Sequence, residues 1–247
     1  GVVCVLTSDS VPGSNDVSPV YDGDVLFVER EISFHDQPLF AVIATSQAEA
    51  DAALSKSVIH YNETSPVLDC ATAREAGLLL RPNRSFRFGD AERALATMPI
   101  HVHQRLHIKG QEHFYLEGQV ALAKPSEEDG VEVWTSSQHP TEVQHLVASV
   151  LDVPFNQVTV QVRRMGGAFG GKESQAAALA CVAALAATKT RRAVKYRMRR
   201  REDMTRTGKR HDVESNVELG IDESGIIQAA SIQLSARCGY STDLSEG

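Results

Sequence analysis

Apolar residues fall at helical spacing over residues 140–151, where Val143, Leu146, Val147, Val150 and Leu151 occupy positions i, i+3, i+4, i+7 and i+8. Pro140 suits the first helical position, where the backbone N–H has no intrahelical acceptor. The period changes on either side. Residues 131–136 (Val-Glu-Val-Trp-Thr-Ser) read as a strand, and 158–162 resume as a second strand after the turn Val153-Pro154-Phe155-Asn156. A glycine-dense stretch, 166–171, opens an Ala-rich helix predicted from about Glu173 to Lys189, and 193–198 read as a third strand. Residues 213–219 and 226–234 flank Asp222-Glu223-Ser224-Gly225 and predict an antiparallel hairpin.

The first half is less periodic. Residues 39–45 read as a buried strand, 24–30 carry a further strand-like run, and 58–61 read as another strand. Ser46-Gln47-Ala48-Glu49 has capping-box spacing ahead of a short helix over 50–54. Residues 66–97 contain the turn chemistry Arg81-Pro82-Asn83-Arg84-Ser85 and a break at Gly89-Asp90, so they read as a linker or cover segment. Strand-like stretches over 101–108 and 114–123 carry scattered histidines, and 125–130 read as a polar hairpin or loop. The fold class is therefore α/β (α+β overall). It divides into a small α/β module over 1–65, a linker over 66–97, and a domain over 98–247 with a βαβαβ unit and a hairpin.

Composition narrows the function classes. The chain has 247 residues, 42% hydrophobic and 23% charged, with a formal net charge of −7, which argues against a whole-protein grip on a nucleic-acid backbone. The longest strongly apolar run, 176–187, is twelve residues with eight alanines, too short to span a bilayer. Cys4, Cys70, Cys181 and Cys238 stand alone without a Cys-x-x-Cys, which argues against a disulfide scaffold and against a Cys-bound zinc or iron–sulfur centre. The start lacks the basic leader and cleavage site of a signal peptide, so the chain reads as cytoplasmic. It opens inside an apolar run and stops abruptly at Ser245-Glu246-Gly247, as if cut from something longer.

The strand–helix–strand order places the C-terminal ends of the 131–136 and 158–162 strands at one sheet edge, where open α/β sheets bind ligands. Two unusual sequences follow those ends: Ser137-Gln138-His139-Pro140, and Met165-Gly166-Gly167-Ala168-Phe169-Gly170-Gly171-Lys172-Glu173. Four glycines in six residues let main chain approach a ligand, and their N–H groups with a helix N-terminus attract anions. The loop is neither a P-loop nor G-x-G-x-x-G. It equally suits a tight turn with close helix–sheet packing, although Phe169 among glycines favours a ligand. Gln138 can donate and accept at once, or cap the helix entry. Glu173 is either a surface acid complementing the helix dipole or a carboxylate for a polar substrate. His101, His103, His107 and His113 read as structural, because their spacing fixes no third metal ligand. The basic run from Arg191 to Arg201 reads as a solvated or interface face, and there is no G-x-S-x-G nucleophile elbow.

The stretch Arg164-Met165-Gly166-Gly167-Ala168-Phe169-Gly170-Gly171-Lys172-Glu173 resembles the signature loop of the xanthine dehydrogenase and aldehyde oxidase family of molybdenum hydroxylases. Three more motifs share the likeness in order: Gly110-Gln111-Glu112-His113-Phe114-Tyr115-Leu116-Glu117; Ser137-Gln138; and Arg201-Glu202-Asp203-Met204 followed by Gly208-Lys209-Arg210-His211. The resemblance is strongest to the molybdopterin-binding subunit of the bacterial xanthine dehydrogenase type. It implies that residues 1–65 are part of a hammerhead domain and the remainder the first portion of a molybdenum-cofactor domain. It implies that Gln138, Gly167, Ala168, Phe169 and Gly170 bind molybdenum–molybdopterin, with Gln138 and Phe169 nearest the metal. Glu173 would hold a purine such as hypoxanthine or xanthine, oxidised to urate by attack of a molybdenum-bound hydroxyl and hydride transfer to a sulfido ligand. Related aldehyde oxidases usually carry an apolar residue at that position. Iron–sulfur clusters, FAD and NAD would belong to other segments or subunits, as would the general-base glutamate and a clamping arginine, leaving this segment without a catalytic residue of its own. The competing reading is a non-catalytic α/β binding or assembly module whose glycine loop only packs.

Overall fold

The computed structural model describes residues 1–245. In chain order its elements are β1 (Val2–Leu6), β2 (Ala41–Ala44), α1 (Gln47–Leu54), α2 (Cys70–Glu75), α3 (Ala91–Thr97), β3 (Ile100–Ile108), β4 (Val120–Pro125), β5 (Val131–Thr135), α4 (Pro140–Leu151), β6 (Val158–Gln161), α5 (Gln175–Thr190), β7 (Val194–Arg197), α6 (Arg200–Arg206), β8 (Asp212–Ile221) and β9 (Ile227–Arg237). This is a mixed α/β fold. Among the described residues no helix is long and apolar enough to cross a membrane.

Two compact units cut across the chain order. One comprises Gly1–Asn62, Glu112–Lys209 and the segment from Tyr240; the other comprises Glu63–Gln111 and Arg210–Gly239. The first unit contains the antiparallel pair β1–β2 and a four-stranded sheet of order β6-β5-β4-β7. β5 and β6 run parallel through the α4 crossover, while β4 is antiparallel to both β5 and β7. The βαβαβ run is therefore present, but β4 sits between its first and third strands. Alternation along β5 buries Val131, Val133 and Thr135, and β4 buries Ala121 and Ala123. Above them lie Val143, Val147 and Val150 of α4 and the alanines, Leu179 and Leu185 of α5. The alanines let α5 lie close to α4 and the sheet.

α4 follows its sequence signals residue for residue. Pro140 occupies the first turn, and Asp152 in the left-handed region ends the helix. His139, rather than Gln138, is the N-cap: its Nδ1 accepts the Glu142 N–H at 3.2 Å. Ser46 caps α1 as its spacing predicts, accepting from Glu49 N.

Other expectations need correction. Residues 58–61 form no strand and lie exposed, because β-branched residues without a partner edge have no ladder to join. Of 114–123 only the part from Val120 pairs, since the preceding stretch turns through Phe114 at φ 51°. Asp24 to Arg30 makes a single bridge, Asp16 to Val25, and no strand.

The second unit is the three-stranded antiparallel sheet β3-β8-β9 with α2 and α3. The 66–97 stretch, irregular in sequence, supplies both short helices, each capped by an aspartate (Asp69, Asp90). Gly220 allows close packing there: a Cβ would lie 2.7 Å from Met98 Cγ.

Candidate functional site

The C-terminal ends of β5 and β6 lie at one edge of the four-stranded sheet because the two strands are parallel. The chain leaving β5 carries Ser136, Ser137 and Gln138; the chain leaving β6 carries the glycine loop. The two segments are directly bonded. Gln138 Oε1 accepts the Gly170 N–H at 3.0 Å and the Lys172 N–H at 3.3 Å, and Gln138 N donates to the Lys172 carbonyl at 2.9 Å. Ser137 Oγ donates to the same carbonyl at 3.3 Å. Two N–H donors converging on one amide atom require it to be oxygen, which fixes the amide orientation. The Gln138 amino group then has no protein acceptor among the described residues.

The loop itself has three further free donors. Gly166 N is taken by Glu117 Oε2 at 3.0 Å and Gly171 N by the Ala168 carbonyl at 2.8 Å. The N–H groups of Gly167, Ala168 and Phe169 donate to nothing among the described residues. Gly167 (φ 92°), Phe169 (φ 55°) and Gly170 (φ 89°) are all left-handed, a strained arrangement for Phe169. Successive N–H groups in such a conformation form an anion-binding concavity. A Cβ at Gly170 would meet nothing within 4 Å, so that side of the loop is open, while the Phe169 side chain is 76% exposed. Gly166 and Gly171 serve the opposite side: a Cβ there would lie 2.6 Å from Glu117 Cβ or 2.7 Å from His113 Cγ.

Glu173 lies one residue before the N-cap of α5, Ser174, and not in the first helical turn as its spacing predicted, because the loop's turns run on past Lys172. It forms no hydrogen bond with Gln138 or the loop among the described residues. Its charge does act on Glu142 at the start of α4, whose carboxyl is raised first by burial. Gln138, Gly170 and Lys172 are thus brought into contact; Glu173 stands at the adjoining helix entrance.

Beneath the loop lies a buried polar network that site reasoning from sequence did not single out. Lys172 is enclosed, and its Nζ meets Glu117 and Ser136. Tyr115 OH donates to Asp203 Oδ1 at 2.6 Å, Gln119 N donates to Asp203 Oδ2 at 3.1 Å, and Gln119 Nε2 reaches the Gly171 carbonyl at 3.0 Å. Burial, reinforced by Asp203, raises the Tyr115 phenol well above its ordinary value. Burial alone would raise Glu117 too, but hydrogen bonds from Ser136, Gly166 and Lys172 outweigh it and hold the carboxyl below the usual range. Each of the four motifs quoted from the sequence contributes to this network or to the segments it joins. Their co-occurrence was the available signal; only folding shows that they meet.

The chain is similar to known proteins. The molybdopterin cofactor-binding domain family matches residues 78–247, and the hammerhead domain of aldehyde oxidase and xanthine dehydrogenase matches residues 1–65. Aldehyde oxidase 4 of Cavia porcellus is 36% identical over 100% of this chain, and xanthine dehydrogenase/oxidase of Gallus gallus 35% over 100%; the match covers 18% of each relative's length. Nicotinate hydroxylase of Emericella nidulans is 34% identical over 99% of the chain and 19% of its own length. The aldehyde oxidoreductase from Desulfovibrio gigas shares the fold at TM-score 0.84 and 22% identity, over 96% of this chain and 28% of that one. The chain belongs to the aldehyde oxidase and xanthine dehydrogenase family of molybdenum hydroxylases.

Proposed function

We propose that this chain is a segment of a cytoplasmic molybdenum hydroxylase that oxidises a purine, hypoxanthine or xanthine. The observation that carries the cofactor reading is the set of uncommitted donors at one rim: the oriented Gln138 amide and the N–H groups of Gly167, Ala168 and Phe169. These suit an electron-rich group presenting oxygen and sulfur, and the left-handed, open Gly170 lets it approach main chain. When bound, molybdenum–molybdopterin supplies two-electron hydroxylation of an electrophilic carbon. Gln138 would donate to an oxygen ligand, the loop would hold the group by main chain, and the Phe169 side chain would screen it from water.

The relatives include proteins named for aldehydes, xanthine and nicotinate, so the purine reading rests on Glu173. Its carboxylate makes no hydrogen bond among the described residues and is available to orient a purine's N–H edge. A site built on such a contact strongly rejects substrates that lack the donor. The rest of the molybdenum subunit, and a partner carrying iron–sulfur clusters and FAD with electrons passing to NAD, would complete the enzyme.

The test is metal analysis and steady-state turnover of the full-length protein with Glu173→Val beside it. Molybdenum in both, with purine turnover lost only in the variant, is expected. Absence of molybdenum from the parent would reduce the glycine loop to a structural turn. Molybdenum with no purine oxidation, or unchanged purine kinetics in the variant, would remove the substrate assignment.

A further inference from the structure

Lys172 is 0% exposed, an unusual place for an ammonium group. Its Nζ donates to the Glu117 carbonyl at 2.7 Å and to Ser136 Oγ at 2.8 Å, lies 3.2 Å from Glu117 Oε2, and sits 4.6 Å from the centre of the Tyr115 ring. Three protons thus meet three oxygens, with an aromatic face alongside. Every partner leads back to the rim. Ser136 lies two residues before Gln138. Glu117 Oε2 also accepts the Gly166 N–H, and Glu117 N donates to the Gly166 carbonyl at 3.1 Å. Lys172 main chain bonds Gln138 directly, through both its N–H and its carbonyl. Lys172 is therefore tied to the first glycine of the loop through Glu117, follows the last glycine directly in the chain, and bonds the segment that bears the glutamine.

Stability is a poor reason for a lysine here. Taking an ammonium from water is costly, and replacing a buried ion pair whole by well-packed apolar chains is often neutral or stabilising. Removing one partner is costly only where it strands the other charge in the interior. Glu117 keeps 39% of its side chain exposed, so its carboxylate could turn to water if the lysine were absent. What an apolar chain cannot do is hold three oxygens from two segments at fixed spacing.

We propose that Lys172 is a positioning residue that sets the separation between the Gln138 amide and the free N–H groups of Gly167, Ala168 and Phe169, and through it the geometry in which the cofactor is held. The proposal rests on the cofactor reading above and assigns Lys172 no contact with substrate.

The experiment compares full-length holoenzyme with Lys172→Met, measuring molybdenum per protein, the Mo(V) electron paramagnetic resonance spectrum, melting temperature, and kcat and KM per bound molybdenum. The expected variant melts within a few degrees of the parent but shows a shifted Mo(V) spectrum. Its kcat per bound molybdenum falls by about tenfold to a hundredfold, with KM much less affected. Ser136→Ala, which removes one of the three oxygens, should shift the same spectrum less, and serves if Lys172→Met fails to fold. A parental spectrum and parental kcat per molybdenum in whichever variant folds would show a merely structural lysine and overturn the proposal. A parent without molybdenum would instead overturn the cofactor reading on which it stands.

Discussion

The four-stranded and three-stranded sheets both have hydrogen-bonded ladders, the second with one register shift at Gly220/Ile221, yet they differ in what lies between them and water. β3, β8 and β9 pair over nearly their whole lengths, but every residue of β3 is exposed, and Ala229 is the one buried apolar residue among the described residues of that unit. The shorter strands β4, β5 and β6 sit under α4 and α5 in the main apolar cluster. Hydrogen-bonded regularity thus makes a sheet, but apolar burial makes a core. Only the unit with a core also buries a lysine, an aspartate and a tyrosine in one network. Burial of polar groups in fixed geometry needs a surplus of apolar burial to offset its cost.

The widest separation should appear in core truncations. Leu179→Ala is expected to cost about 2–5 kcal/mol, whereas Leu234→Ala on β9, where the side chain is 66% exposed, should stay within about 0.5 kcal/mol. Denaturant midpoints of the 247-residue chain would measure both, and comparable losses would break the contrast.

Next is Asp203→Ala, which strips the acceptor from Tyr115 OH and Gln119 N at once. A loss of about 3 kcal/mol is expected. A change under about 1 kcal/mol would mean that the network contributes little.

Two glycines then sharpen the comparison. Gly170 and Gly225 have nearly equal φ, 89° and 87°, and neither has an atom within 4 Å of a Cβ. Valine at either position should cost about 1–3 kcal/mol in backbone strain. Only Gly170→Val should also lower molybdenum content in the full-length protein, and equal metal content in both variants would count against the cradle.

The smallest effect is electrostatic. Burial, with Glu173 and Asp243 nearby, holds Glu142 above the ordinary carboxylate value despite His139, and its Oε1 is buried without a hydrogen-bond partner. A raised carboxyl contributes stability that is full below its unfolded value and lost as pH rises through its folded one. Glu142→Gln should therefore stabilise at pH 7 by about 0.5 kcal/mol and give no gain near pH 4. A loss at pH 7 that vanishes near pH 4 would show that the helix-dipole interaction of this first-turn carboxylate outweighs its burial.

Local signals explain most of what was legible. Residues 140–151 carry an apolar stripe and a proline at the start, both short-range features, and the helix matches them to the residue. The strand expected at 58–61 failed because β-branched residues announce a strand only when an edge exists to receive them. The placement of β4 between β5 and β7 is likewise invisible locally, since sheet order depends on segments more than seventy residues apart.

Gln138, the glycine loop and Glu173 could be named from residue type, because an amide, bare main chain and a carboxylate have few chemical substitutes. Composition and periodicity sufficed for the α/β class, and the four motifs for the resemblance. Lys172 is different. In sequence it is one cation beside a run of glycines, and nothing in its neighbours says that it lies inside the protein. Burial and partner choice are properties of the packed chain, fixed only when Glu117, Ser136 and Tyr115 arrive from other segments. Folding therefore decided which charge is enclosed, which donors of the loop are left uncommitted, and how far the glutamine stands from them.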